Sequence, residues 1–144
     1  LTCALTLPAI SQPLSDAFLN GLEFRSIGPA TMSGRIVDLA VSEQDPYVIY
    51  VASATGGIWK TINNGVTFEP QFQNEAVHSI GAIAVHPLAD SVLWVGTGER
   101  ANRQSSSLGH GVYRSTDGGQ TFTPLGLDET RHRGRIASPP PHLD

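Results

Sequence analysis

An eight-residue pattern occurs twice in this chain, and it restricts the surrounding backbone more than any other stretch. The clear copy is Ser115-Thr116-Asp117-Gly118-Gly119-Gln120-Thr121-Phe122, of the form Ser/Thr-x-Asp-x-Gly-x-Thr-aromatic. The weaker copy is Thr61-Ile62-Asn63-Asn64-Gly65-Val66-Thr67-Phe68. The spacing predicts a β-hairpin turn, because an Asp or Asn side chain accepts hydrogen bonds from nearby backbone N–H groups and mimics a turn. Gly65 and Gly119, two residues further on, supply the positive φ that a tight reversal needs. Thr67 with Phe68, and Thr121 with Phe122, are then expected to begin the return strand, where β-branched and aromatic side chains pack well. Each copy follows an apolar strand ending in a cation, Gly57-Ile58-Trp59-Lys60 and Gly111-Val112-Tyr113-Arg114. A turn that recurs with its strand marks a structural repeat.

The repeat extends upstream of the turn. Ile36-Val37-Asp38-Leu39-Ala40-Val41 aligns without gaps on Ile80-Gly81-Ala82-Ile83-Ala84-Val85, and Val48-Ile49-Tyr50-Val51 on Val92-Leu93-Trp94-Val95. The second unit then carries a polar insertion within Glu99 to His110. Gly134-Arg135-Ile136-Ala137 reads as the start of a third copy that Ser138-Pro139-Pro140-Pro141 cannot continue as a paired strand. Strands are expected near 35–42, 47–53, 57–61 and 67–72, and again near 80–86, 91–97, 111–115 and 121–125. Four strands in units of this size indicate an all-β chain, a partial β-propeller of two four-stranded blades and the start of a third. No stretch holds a helical period, apart from a short helical turn or irregular segment at Leu14 to Leu22. The expected divisions are a clipped signal or extended segment over 1–21, blade one over 22–77, blade two over 78–130 and an aborted third blade over 131–144.

The repeated turn resembles the Asp-box, or BNR repeat. The wider pattern resembles the sortilin/Vps10-like and xyloglucanase-like group of Asp-box propellers. Phe24-Arg25-Ser26-Ile27-Gly28-Pro29-Ala30 followed by Met32-Ser33-Gly34-Arg35-Ile36 is similar to the first blade of large secreted bacterial members. Trp94-Val95-Gly96-Thr97-Gly98-Glu99 with Gly109 to Gly119 is similar to their second blade and is the more specific part. Two departures stand out: Asn63 replaces the box Asp in blade one, and Phe68 and Phe122 stand where the group usually has Trp. The resemblance implies that Thr61, Asn63, Gly65, Thr67, Phe68, Ser115, Asp117, Gly119, Thr121 and Phe122 lock turns on the outer rim, away from the channel where propellers bind ligands.

Two blades do not close a propeller, since closure takes about four or more. The chain is therefore expected to belong with the remaining blades of a longer parent, or to self-assemble. The net charge of -4 provides no basic stripe for nucleic acid, and the Arg131, His132, Arg133, Arg135 cluster reads as a solvated loop. One cysteine, Cys3, excludes an internal disulfide framework and a zinc cluster. No metal and no cofactor is expected. Nothing reaches the length of a membrane span. Residues 1–11 are apolar and small, with Ala9-x-Ser11 as a candidate signal-peptidase site; a secreted, periplasmic or cell-surface location is expected on this ground and on the resemblance.

For chemistry, the loops between strands two and three carry the most information. In xyloglucanase-like hydrolases the corresponding loop of blade one holds a catalytic Asp before an x-Gly-Gly-x-aromatic run. Here Ser53-Ala54-Thr55-Gly56-Gly57 places Ala54 at that position. Inverting hydrolysis needs two carboxyl groups flanking the bond, and a methyl group cannot move a proton. In blade two the loop holds Glu99, the best single candidate for a site residue, with Arg100, Arg103 and His110 as further channel-mouth candidates. A Glu beside an Arg in a Ser-rich loop is equally a weak surface pair. Trp59 and Trp94 are expected to pack between blades. The function expected is a non-catalytic scaffold for a glycan, peptide or protein. The alternatives are a piece of a glycoside hydrolase related to the xyloglucanases, and a sorting-receptor or assembly-factor propeller.

Overall fold

The computed structural model describes residues 34–101, 106–132 and 134–137. The expected N-terminal segment with Cys3 and the Leu14–Leu22 turn, the stretch Phe24–Ala30, Arg103 and Arg133 lie outside them. Among the described residues every regular element is a strand: β1 (Ile36–Val41), β2 (Ile49–Ser53), β3 (Ile58–Thr61), β4 (Glu69–Pro70), β5 (Ile80–His86), β6 (Ala89–Thr97), β7 (Val112–Ser115) and β8 (Thr123–Pro124). They form two antiparallel sheets in the orders β1-β2-β3-β4 and β5-β6-β7-β8. The registers repeat residue for residue. Leu39 faces Val51, which faces Trp59, which faces Pro70; Ile83, Val95, Tyr113 and Pro124 form the same row in the second sheet.

Three strands differ most from the sequence expectation. Strand β6 starts at Ala89, because Pro87 and Leu88 make a tight reversal in which the Leu88 N–H donates to His86 Nδ1 at 3.1 Å. Strands β4 and β8 are shorter than expected and exclude Thr67, Phe68, Thr121 and Phe122. The backbone N–H of each Thr is captured by the Asn or Asp side chain of the turn, so it cannot join the ladder. Pro70 and Pro124 then end the pairing, having no N–H to donate.

The core lies between the sheets. Ala40, Tyr50, Ala52, Ile58 and Phe72 from the first unit pack on Ile80, Ile83, Leu93, Val95 and Tyr113 of the second. Phe72 sits edge-on to Tyr113 at 5.3 Å and to Phe122 at 4.7 Å between ring centroids, a favourable arrangement for aromatic quadrupoles. Polar bonds cross the same seam: the Ile83 N–H donates to Asp38 Oδ2 at 3.1 Å, and Gly57 N–H to the His78 carbonyl at 2.9 Å. Trp59 and Trp94, expected between blades, are only half-buried and lie on the two outward faces of the pair. The aromatic residues inside the seam are Tyr50, Phe72 and Tyr113, with the partly buried Phe122 packed against them.

Candidate functional site

The two kinds of candidate residue separate to opposite ends of the sheets. Each repeated turn joins the third and fourth strands at the end that also carries the first hairpin, shown by bonds from Asn64 N–H to the Tyr47 carbonyl (3.1 Å) and from Gly118 N–H to the Ser91 carbonyl (2.8 Å). The loops that follow β2 and β6 lie at the other end.

In the second turn, the Ser115 hydroxyl donates to Asp117 Oδ1 (2.7 Å) and accepts from the Gly119 N–H (2.9 Å). Asp117 Oδ1 also accepts from the Gln120 and Thr121 N–H groups at 3.0 and 2.9 Å, while the Thr121 hydroxyl donates to Oδ2 at 2.5 Å. These donors, the Thr121 hydroxyl foremost, hold the Asp117 carboxyl well below the usual carboxylate range. The first turn repeats the scheme through Thr61, Asn63 and Gly65, with one reversal: the Asn63 amide donates to the Thr67 hydroxyl at 2.8 Å. Both turns take two successive left-handed residues, Asn64 (φ 55°) and Gly65 (88°), Gly118 (72°) and Gly119 (93°). Asp117 Oδ1 thus holds the backbone of Gln120 and Thr121, and Oδ2 holds the Thr121 hydroxyl.

The turn of the second unit also grips the first. The Gly118 carbonyl accepts from Tyr50 Oη at 3.1 Å and from Lys60 Nζ at 2.9 Å. Burial, with Asp90 and Asp117 nearby, pushes the Tyr50 phenol up to about 12.

At the opposite end, Glu99 is 3% exposed and its Oε1 forms an ion pair with Arg35, which is 41% exposed. Its Oε2 accepts from the Ser107 N–H at 3.3 Å, and its carbonyl meets His132 Nδ1 at 2.9 Å. Two glycines let this loop leave and return: a Cβ on Gly98 would come within 2.0 Å of the Arg131 carbonyl oxygen, and one on Gly109 within 2.3 Å of Thr97 backbone. Ala54 is buried, its N–H donating to the Arg35 carbonyl at 2.9 Å. Arg100 and His110 are exposed; Arg103 lies outside the described residues. Arg100 lines a cleft of ≈ 490 Å³ with Asp38, Ile83, Gly134, Arg135 and Ile136.

No protein-family model and no curated protein matches this chain. Solved structures do. An ancestral GH74 enzyme superposes with a TM-score of 0.54 at 25% identity, over 75% of this chain and 12% of its own length. The GH74 enzyme of Niastella koreensis gives 0.52 at 21% identity, over 72% of this chain and 15% of its own. The chain is part of a β-propeller. Its sheets are two successive blades, spanning about an eighth of the first enzyme's length. YCF48 bound to D1 peptide superposes more loosely, at 0.46 and 14% identity over 93% of this chain and 39% of its own.

Sequence reasoning placed Glu99 in the blade-two loop but missed its partner Arg35 and the cleft residues Asp38 and Arg135. The signal was present: Gly-Arg-Ile occurs at 34–36, leading into β1, and again at 134–136. Among the described residues no group of three His, Cys, Asp or Glu is placed to hold a metal ion, and no helix is long and apolar enough to cross a membrane.

Proposed function

We propose that this blade pair binds rather than cleaves, as a non-catalytic scaffold in an exported Asp-box propeller that offers its loops to a glycan, peptide or protein. The observation that carries this reading is the fate of the carboxylate at the mouth. Glu99 is buried and committed to Arg35 and Ser107, while the loop position that would supply a second acid is the buried methyl of Ala54. Hydrolysis of a glycoside by the common route needs two carboxyl groups free to face the bond. Glu99 instead fixes Arg35, and the exposed groups at this end include Arg100, Arg135 and His110. They suit a ligand rich in hydroxyl or carboxylate oxygens. Secretion or a periplasmic or cell-surface location is part of this proposal, supported by the apolar, small-residue composition of residues 1–11.

A second reading has its own support. The two GH74 enzymes make a hydrolase parent the alternative, with acid and base outside these 144 residues. Xyloglucan tests the binding-only reading of this chain. Calorimetric titration with xyloglucan oligosaccharides, beside an assay of released reducing ends, is expected to show no cleavage by this chain. Exchanging Arg100→Ala is expected to weaken any glycan bound at this end several-fold. Release of reducing ends by the purified chain would overturn the binding-only reading, as would a glycan affinity indifferent to Arg100.

A further inference from the structure

The two faces of the pair that point away from the seam repeat the two faces that form it. In blade two, the row Ile83, Val95, Tyr113 is buried because blade one covers it; Ile83 is 4% exposed. Its counterpart in blade one is Leu39, Val51, Trp59, in the same register, with Leu39 57% exposed. Phe122 of the second turn packs on Phe72, whereas its counterpart Phe68 is 44% exposed and lines an apolar trough with Ile36, Val51 and Trp59. The covering face repeats as well. Blade one covers its neighbour with Ala40, Tyr50 and Lys60, one residue from each of three strands. Blade two presents Ala84, Trp94 and Arg114 at the matching register, half-buried to exposed, with the Arg114 guanidinium 5.9 Å from the Trp94 ring centroid.

The polar clamp repeats with the apolar rows. Across the seam, Tyr50 and Lys60 both donate to the carbonyl of Gly118, the first left-handed residue of the turn. The corresponding residue of the first turn is Asn64, also left-handed at φ 55°. Trp94 and Arg114 are both donors, so they can address the Asn64 carbonyl as Tyr50 and Lys60 address that of Gly118. What is new near the clamp is the Asn64 side chain, beginning with its Cβ. At Gly118 such an atom would meet Lys60 Nζ at 3.1 Å, the mobile end of a long side chain, so the fit is preserved by a small shift of the cation.

We propose that chains of this sequence associate head to tail, the Trp94–Arg114 face of one copy seated on the Leu39–Trp59–Phe68 face of the next. The seam inside the chain is the template for the seam between copies. Such a contact is heterologous: the two patches differ, so each copy keeps one of each kind free for a further copy.

That asymmetry gives a test. Light scattering on the eluting 144-residue chain is expected to show mass rising with concentration. Phe68→Asp and Arg114→Asp each spoil one face, so each variant alone is expected to run as a folded monomer, checked by circular dichroism. Mixed in equal amounts, the two variants are expected to form a one-to-one dimer and nothing larger, because one sound face of each kind remains. A wild-type chain that stays monomeric up to high micromolar concentration overturns the proposal. So does a mixture that stays monomeric, and so does association that survives either variant alone. Should Phe68→Asp fail to fold, Leu39→Asp on the same face replaces it.

Discussion

Asp117 and Asn63 do the same mechanical work with different proton inventories. The carboxylate only accepts, so the Thr121 hydroxyl must donate to it; the carboxamide donates, so the Thr67 hydroxyl accepts instead. The backbone bonds from the second Thr to the Oδ1 atom are the same, 2.9 Å in both turns. Asp117→Ala is therefore expected to lower stability by about 1–2 kcal/mol through the lost turn bonds. Asp117→Asn, which copies the first turn, is expected to cost about 0.5 kcal/mol or less at neutral pH. The two also part company in acid. The folded carboxyl titrates below its ordinary 3.8 because the Thr121 hydroxyl, the Thr121 N–H and the Ser115 hydroxyl all favour the charged form. Its contribution is complete above the unfolded value and is lost as pH falls from about 4 towards the folded one. Urea unfolding at neutral pH and again below pH 3 checks this. Wild type should lose ground to Asp117→Asn as the pH drops, and a constant difference would show that the carboxylate's charge is irrelevant to the turn.

At the scale of elements, the turn joins sheets as well as strands. Tyr50 on β2 and Lys60 on β3 end on one carbonyl of the other sheet's turn, so the hairpin β7–β8 cannot move without breaking the seam. Tyr50→Phe is expected to cost about 1 kcal/mol, one buried hydrogen bond. Because the folded phenol titrates near 12 against an ordinary 10.0, its share of stability is present below pH 10 and lost as pH rises towards 12. Wild type should therefore lose more stability between pH 9 and 11 than Tyr50→Phe does. Equal losses would place the alkaline sensitivity elsewhere. Most of this architecture could be read in advance. The strands, their order and the turn geometry follow from the repeat, since a period-two pattern and a left-handed Gly are local properties. What escaped reading was pairwise and non-local: Arg35 meeting Glu99, Gly118 receiving Lys60, and the outward placement of Trp59 and Trp94. Residue type says that a Trp is apolar, but only the packing order of the sheets says which of two faces is covered.

Among the described residues there is one core, and it lies between the two sheets rather than within either. Each sheet alone is a single layer with two open faces, which is not a stable arrangement in water. The described part should consequently unfold as one cooperative unit despite its two repeats. Phe72 makes the sharpest test, because it leaves the end of blade one and packs against Tyr113 and Phe122 of blade two. Phe72→Ala removes a buried ring and is expected to cost about 3–5 kcal/mol, with Tyr113→Ala of similar size. Their rings are in direct contact at 5.3 Å, so the double variant should lose less than the two single losses combined. Calorimetry of the three variants and wild type checks both points. One transition that moves as a whole, with a coupling of about 1 kcal/mol or more between the two sites, is the expected result. Two transitions, with Phe72→Ala shifting only the first, would mean that each blade holds itself together and the seam is a secondary contact.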